Sequence, residues 1–417
     1  MKIALLSYEY PPETGFGGIG TYTWYQARAL VRLGHEVRVV AGSLQPGVHH
    51  SEHDGVRVTR VLDHGRYASA VDGMHRDGIG WASTRLGLAA SAFGAVRDLL
   101  EDEAYDIVEY PDCGADGTMV ATMLPGHTSV RFHSPAKLIM GLYGADAREN
   151  ETASFLEQVA INRADVRIAP SWFMAAEAVT RLGVSPPIHM VPNGLDLELF
   201  DRSQEIDVGE RFGVPRSAGT VTVLVTGRLE RRKGSHLLPG ICAEVLRKYP
   251  HVHVAVAGAD PDRMVESLIR PRLAVDGTAD RFHFLGALPL AEVRALVKHS
   301  DIHLHPSLWD NAPYSCIEAM AAGRPLVSSD VGGLPELVEH RVTGLLARAG
   351  VEQSFVTALQ ELIEDRDLRA RLGAAGRRVV EARHTDVAMA ERSVALWQRS
   401  IAGDPAVTTH PARTTTT

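Results

Sequence analysis

Cysteine is scarce in this sequence, and what there is does not pair. Cys113, Cys242 and Cys316 are widely spaced, odd in number and never in a CxxC arrangement. That excludes a disulfide framework and a cysteine-rich zinc site, and it fits a reducing cytoplasm. Long hydrophobic runs are missing too: no window approaches the ~18 consecutive apolar residues of a membrane span. The apolar start at residues 3–6 is interrupted by Ser7, Tyr8 and Glu9, too soon for a signal-peptide core. There is no excess of basic residues either. Against 51 Asp and Glu stand 43 Lys and Arg, a net charge of −8, which argues against a nucleic-acid binder whose affinity rests on clustered cations. The imbalance lies wholly in residues 1–200, with 16 Lys and Arg against 24 Asp and Glu, while the remainder carries 27 of each.

What is present reads as an ordinary globular chain of 417 residues, 45% hydrophobic and 23% charged, long enough for two or three domains. Short runs rich in Val and Ile alternate with helical patterns, the mark of helices layered on parallel sheets. Strands are expected near 3–7, 36–41, 56–61, 106–109, 129–132, 166–169 and 188–191, with helices at 19–33, 83–101 and 171–182. Residues 63–81 show no clean period and read as a long loop or short helix. The rhythm breaks at 196–218, a candidate linker. It restarts with strands near 220–226, 252–257, 281–285, 301–304, 325–328 and 345–347 and a helix over 233–249. The expected architecture is therefore two Rossmann-like α/β domains facing a cleft, residues 1–200 and 201–385. Residues 403–417, ending in four threonines, have no apolar period and read as a disordered tail.

Ligands of open α/β sheets collect beyond the carboxyl ends of strands, so unusual residues just after strands carry the argument. Gly15-Phe16-Gly17-Gly18-Ile19-Gly20 follows the first strand and opens a helix, where backbone can approach an anion closely. Its spacing is not a clean GxGxxG. No acid ends the second strand (Val39-Val40-Ala41-Gly42-Ser43), which counts against a nicotinamide dinucleotide. Gly227-Arg228-Leu229-Glu230-Arg231-Arg232-Lys233-Gly234 follows the first strand of the second half. Its cations suit a diphosphate, although such a run is also common on a solvated face.

The most specific stretch runs from Leu308-Trp309-Asp310-Asn311-Ala312-Pro313 into Tyr314-Ser315-Cys316-Ile317-Glu318. Pro313 fits the first position of a helix, whose start would offer the amides of Tyr314 and Ser315 to an anion, with Asp310 and Glu318 on either side. A helix start flanked by two carboxylates suits a nucleotide sugar; the plainer alternative is a cap and a surface acid. His133 ends a strand of the first half; a lone histidine is more often a satisfied structural residue, and its position at a strand end is what makes it a candidate. The pairs His49/His50, His251/His253 and His303/His305 lack an Asp or Cys at ligand spacing, so no metal is expected.

Taken together, these segments resemble the retaining family 4 glycosyltransferases of the GT-B fold, over nearly the whole chain. The resemblance rests on Gly17-Gly18-Ile19-Gly20-Thr21-Tyr22, Val191-Pro192-Asn193-Gly194-Leu195-Asp196, Gly227-Arg228-Leu229 with Lys233-Gly234, Phe284-Leu285-Gly286, and Glu318-Ala319-Met320-Ala321. It implies that Arg228 and Lys233 bind the donor diphosphate together with Gly18, Tyr314 and Ser315. It further implies that Glu318 binds the nucleotide ribose, that His133 and Asp310 serve catalysis beside the transferred sugar, and that a last helix at 386–402 crosses back to the first domain. The family's paired acids are usually Glu-x7-Glu; here the first is Asp310. Where many relatives have histidines after the fourth strand, this chain has Val108-Glu109-Tyr110-Pro111-Asp112, making Glu109 and Asp112 acceptor-side candidates.

The expectation is a cytoplasmic, retaining, metal-independent transferase with no cofactor. It moves a hexose or N-acetylhexosamine from a nucleoside diphosphate sugar, UDP by family frequency, to a small soluble acceptor. The acidic first half points to a neutral or cationic acceptor rather than an anionic lipid surface, although a solubilising surface charge explains it too. A lipid or polysaccharide acceptor, a nucleotide-sugar epimerase and a nicotinamide oxidoreductase are the rival readings.

Overall fold

The computed structural model describes residues 1–15, 17–62, 80–102, 104–124, 126–202, 206–215, 217 and 219–409. The chain divides into two compact units, Met1–Gly194 with Asp386–Thr417, and Leu195–Thr385.

The first unit is built on strands β1 (Lys2–Ser7), β2 (Glu36–Gly42), β3 (Gly47–His53), β4 (Val56–Leu62), β5 (Ile107–Pro111), β6 (Thr128–Arg131), β7 (Val166–Ala169) and β8 (His189–Met190). They lie in the order β3-β4-β2-β1-β5-β6-β7-β8. Every pairing is parallel except the hairpin β3–β4, where Val48 faces Val61. Strands covered on both faces are mostly apolar; β5, β6 and β7 are buried at every position, with Glu109, Thr128, Ser129, Arg131 and Arg167 hydrogen-bonded inside. β1 lies between β2 and β5, so the order of the sheet reverses there and opens a crevice beyond the ends of β1 and β5. The helix Gly18–Arg32 follows β1. The helix Asp386–Ile401 packs against it, with Arg32 paired to Asp386 and Trp397 fully buried.

The second unit holds β9 (Val221–Thr226), β10 (Val252–Ala257), β11 (Phe282–Gly286), β12 (Ile302–His305), β13 (Leu326–Ser329) and β14 (Gly344–Ala347). Their order is β11-β10-β9-β12-β13-β14, parallel throughout. The order reverses between β9 and β12, whose ends bound the second crevice. Val221, Val223, Val254, Val256, Ile302 and Leu304 form the middle of its core, with Leu238 and Ile241 of the helix Leu238–Lys248 above them.

Several expectations need correction. No strand is expected at residues 47–53, because β3 is an exposed hairpin strand, Gly-Val-His-His-Ser-Glu-His, with no core face to impose an apolar alternation. His49, His50 and His53 therefore stand on a strand. The helix Ala147–Arg163 is likewise unannounced, being polar on average, although Asp146 caps its start. The 196–218 stretch contains two short helices, Leu197–Asp201 and Val208–Phe212, and the unit boundary falls at Gly194/Leu195. Beyond Gly403 the chain stays packed as far as Thr409, with Val407 buried and the Thr409 hydroxyl donating to the Ala164 carbonyl at 2.7 Å. Residues 410–417 of the expected tail, and 63–79 of the expected loop, lie outside the described residues. Among the described residues no helix is long and apolar enough to cross a membrane.

Candidate active site

In the second unit the segments after β9 and β12 are bolted together. Gly234 has φ +72, and a Cβ there would come within 1.9 Å of the Pro306 carbonyl oxygen. Glycine is thus required both for the backbone turn and for the close approach. The Leu308 amide donates to the Arg232 carbonyl at 2.8 Å, and the buried Arg232 guanidinium donates to the Trp309 carbonyl at 3.2 Å. Gly332, with φ +63, lets the following loop press on the Asp310 backbone, where a Cβ would lie 1.8 Å from the carbonyl oxygen.

Asp310 is held at the centre of this junction. Its Oδ2 accepts from Lys233 Nζ at 2.7 Å, His305 Nε2 at 2.8 Å and Ser307 Oγ at 3.1 Å. Its Oδ1 accepts the Asn311 amide at 3.1 Å and lies 3.9 Å from Arg232. Burial alone would raise its pKa, but Lys233, His305 and Arg232 outweigh that and hold the carboxyl well below its usual range. His305, buried at the end of β12, is shifted the other way. Desolvation lowers its pKa, with Lys233 and Arg232 acting in the same direction against the pull of Asp310. Its Nδ1 lies 3.5 Å from Ser315 Oγ.

The helix Tyr314–Ala321 begins just beyond. Pro313 is its N-cap residue rather than its first helical one, and no side chain caps this end. The start keeps its positive dipole character. Glu318, one turn in, is buried and pushed up to about 7 by desolvation, an effect that Arg294 partly offsets. Arg228 is the exposed cation of the group, its Nε 3.1 Å from Glu230. The structure thus brings Arg228, Lys233, Asp310, Tyr314, Ser315 and Glu318 to one end of one sheet. His305 and Ser307, which join them, had a signal in sequence: an acid five residues after the histidine.

The first unit gathers a second cluster beyond β1 and β5. The Tyr22 hydroxyl donates to Glu109 at 2.7 Å and Ser129 to the same carboxyl at 3.4 Å. Arg131 lies over the Tyr22 ring, 4.6 Å from its centroid, and donates to the Val191 carbonyl and to Asn193 Oδ1. The His133 ring meets the Tyr22 ring edge-on at 5.1 Å. His133 is only partly buried by surface, yet desolvation of the ring, helped by Arg131, moves its pKa down to about 3 and keeps it neutral.

Three assignments change here. Glu109 and Asp112 are interior groups, 3% and 0% exposed, each pushed up to about 7 by burial, and Glu109 lines a small cavity with Tyr22, Arg131 and His133. Asp112 instead accepts the His133 amide at 2.9 Å, and Asp116 takes Arg85 at 2.8 Å and the Tyr8 amide at 3.0 Å. The acids after β5 are internal braces, invisible as such in sequence because burial is not written there. At the glycine-rich loop, Glu9 Oε2 accepts the Gly20 amide at 3.3 Å, and a Cβ on Gly17 would sit 2.3 Å from that oxygen. Gly18 faces open space, but the helix start beside it already holds a carboxylate. Phe16 lies outside the described residues.

Residues 16–199 match the profile of "Glycosyltransferase Family 4" and residues 210–379 that of "Glycosyl transferases group 1". A D-inositol 3-phosphate glycosyltransferase from Corynebacterium aurimucosum is 27% identical over 396 residues, 90% of each chain. Among solved structures, a sucrose-phosphate synthase from Thermosynechococcus elongatus superposes with a TM-score of 0.77 at 20% identity, covering 96% of this chain and 100% of its own. The Anabaena protein HepE, solved with UDP and glucose, gives 0.71 at 20% identity, covering 95% and 99%.

Proposed function

From the premise that the chain belongs to the family 4 glycosyltransferases and has their GT-B fold, we propose that it transfers a hexose or N-acetylhexosamine with retention. The donor is a nucleoside diphosphate sugar, UDP-linked by preference, and the acceptor is a small soluble molecule. Family membership sets aside the epimerase and oxidoreductase readings.

One observation carries the donor assignment. The cationic loop 228–233 is fastened beside an uncapped helix start, with a buried carboxyl one turn along. Departure of a nucleoside diphosphate builds negative charge on its phosphates, and preorganised donors meet that charge without reorganisation. Arg228, Lys233 and the amides and hydroxyl at Tyr314 and Ser315 take the diphosphate in this reading, and Glu318 takes the ribose hydroxyls. These protein cations stand in for a metal. UDP is supported by the UDP-bound state in which HepE was solved.

His133 keeps the role that the resemblance implies, beside the transferred sugar, as a neutral hydrogen-bonding group. Gly18 is left out of the diphosphate set, since the Glu9 carboxylate next to it repels a second anion. Within the retaining reading, Asp310, with three donors on one oxygen and a depressed pKa, is a poor nucleophile, which disfavours a covalent double displacement. A front-face route, in which the leaving phosphate helps deprotonate the acceptor, needs no enzyme nucleophile. Asp310 keeps its place in catalysis as the acid that fixes this junction.

The test is incubation with a panel of nucleotide sugars and candidate acceptors, read by mass spectrometry and by NMR of the product's anomeric centre. A glycoside of unchanged anomeric configuration is expected; an inverted linkage overturns the reading. Co-sedimentation with anionic liposomes checks the acceptor class. Tight, salt-sensitive binding would replace the small acceptor by a lipid.

A further inference from the structure

Lys233 has two possible anionic partners in the donor reading, and it cannot fully serve both. In the structure its ammonium is 2.7 Å from Asp310 Oδ2 and its side chain is 22% exposed, so it has room to turn outward from Asp310. Arg232 is buried against backbone carbonyls and Glu230. When Lys233 turns to a phosphate, Asp310 stays behind, buried and without its nearest countercharge, which is costly in a low-dielectric setting. The group best placed to supply that charge is His305, already 2.8 Å away.

We propose that His305 takes up a proton from solvent as the donor diphosphate draws Lys233 away from Asp310, so that the imidazolium replaces the lysine as partner of the buried carboxylate. The proposal rests on the donor site described above. Its geometry runs through both ring nitrogens. A carboxylate accepts only, so Nε2 carries hydrogen toward Asp310, and in the neutral ring Nδ1 is the lone-pair nitrogen facing Ser315 Oγ at 3.5 Å. Protonation at Nδ1 reverses that contact. Nδ1–H then donates to Ser315 Oγ, and the serine hydroxyl hydrogen is released toward an oxygen of the diphosphate at the helix start. The same proton thus serves Asp310 and the phosphate.

The charged and titratable groups around His305 fit this order of events. Lys233 and Arg232 come from the loop after β9, Asp310 from the segment after β12 and His303 from the same strand, while Cys316 of the Tyr314–Ala321 helix interacts with Asp310 and Lys233. With Lys233 in place, burial and the two cations keep His305 neutral. With Lys233 gone to phosphate, one opposing cation is removed and the attraction of Asp310 is unshared. A donor that binds together with a proton binds more tightly as pH falls, by up to ~10-fold per pH unit while the uptake is complete.

Isothermal titration of the full chain with UDP, GDP and ADP, at pH 8 in buffers of different ionisation heat, reads the proton count directly. At that pH the free terminal phosphate, with a pKa of about 6, is already ionised. Net uptake of about half to one proton per nucleotide is expected for the nucleotide that binds, and loss of that uptake with retained binding in H305N. A merely structural histidine would change affinity without changing the count. Should H305N not fold, D310N serves, because removing the carboxylate charge also removes the reason to protonate. Binding with no uptake, or with the same uptake in the variant, overturns the proton step and leaves the donor site standing. Absence of binding by all three nucleotides overturns the donor reading and the proton step with it.

Discussion

Lys233 and Glu318 are the side chains whose removal tests the donor site most simply. A charge-assisted hydrogen bond is worth roughly 1.5–3 kcal/mol, and each residue would make more than one to the donor. Lys233→Ala and Glu318→Ala are therefore expected to lower kcat/KM for the donor by at least ~10²-fold, with the circular dichroism of the fold unchanged. Near-normal kinetics in either variant would remove that residue from the site. Glu109 belongs to a different class. Burial raises its pKa from the ordinary carboxyl range to about 7, so the folded chain binds a proton there that the unfolded chain releases between about pH 4.5 and 7. This contribution to stability is complete at low pH and is lost as pH rises through 7. Glu109→Gln keeps an acceptor for Tyr22 but cannot ionise. Its melting temperature relative to the parent should rise from pH 5 to about pH 7 and level off above it, and a constant difference would contradict an interior, titrating Glu109.

At the scale of elements, the second-unit site depends on two backbone junctions more than on any side chain. Gly332→Ala places a Cβ 1.8 Å from the Asp310 carbonyl oxygen at a residue with φ +63. Alanine in the left-handed region alone exceeds ~1 kcal/mol of cost, and the clash forces the Asp310 segment to move. The expected outcome is a lower melting temperature together with weakened nucleotide binding, whereas Gly277→Ala, which also has positive φ but meets nothing within 4 Å, should lower stability alone. Equal binding in both variants would dissociate the junction from the site.

The organisation of the whole molecule adds a constraint from the last helix. The last helix returns to the first unit and buries Trp397 completely. Trp397→Ala should cost ~3–5 kcal/mol, read as a shifted denaturation midpoint. A negligible shift would mean that this helix contributes little to the unit. For the molecule as an enzyme, protein cations rather than a metal are proposed to neutralise the leaving diphosphate. Activity should then survive EDTA, and full loss with rescue by Mg²⁺ or Mn²⁺ would contradict that chemistry.

The amino-acid order alone determined most of the sheet-building segments, because strands covered on both faces are largely apolar and β-branched, as in Val221-Thr222-Val223-Leu224-Val225. It also determined where the cations, the glycines and the acids of the second unit fall relative to strand ends, since crevice residues of parallel sheets follow strands directly. It was silent wherever one face is wet or an element is polar, as in β3 and the Ala147–Arg163 helix. Only the tertiary structure decided which acids are buried. Glu109, Asp112 and Asp116 look alike in sequence to ligand-facing carboxylates, yet Tyr22, the His133 amide and Arg85 occupy them from within. It alone also joined Lys233 to Asp310, because hydrogen-bond partners 77 residues apart meet only when β9 and β12 are laid side by side.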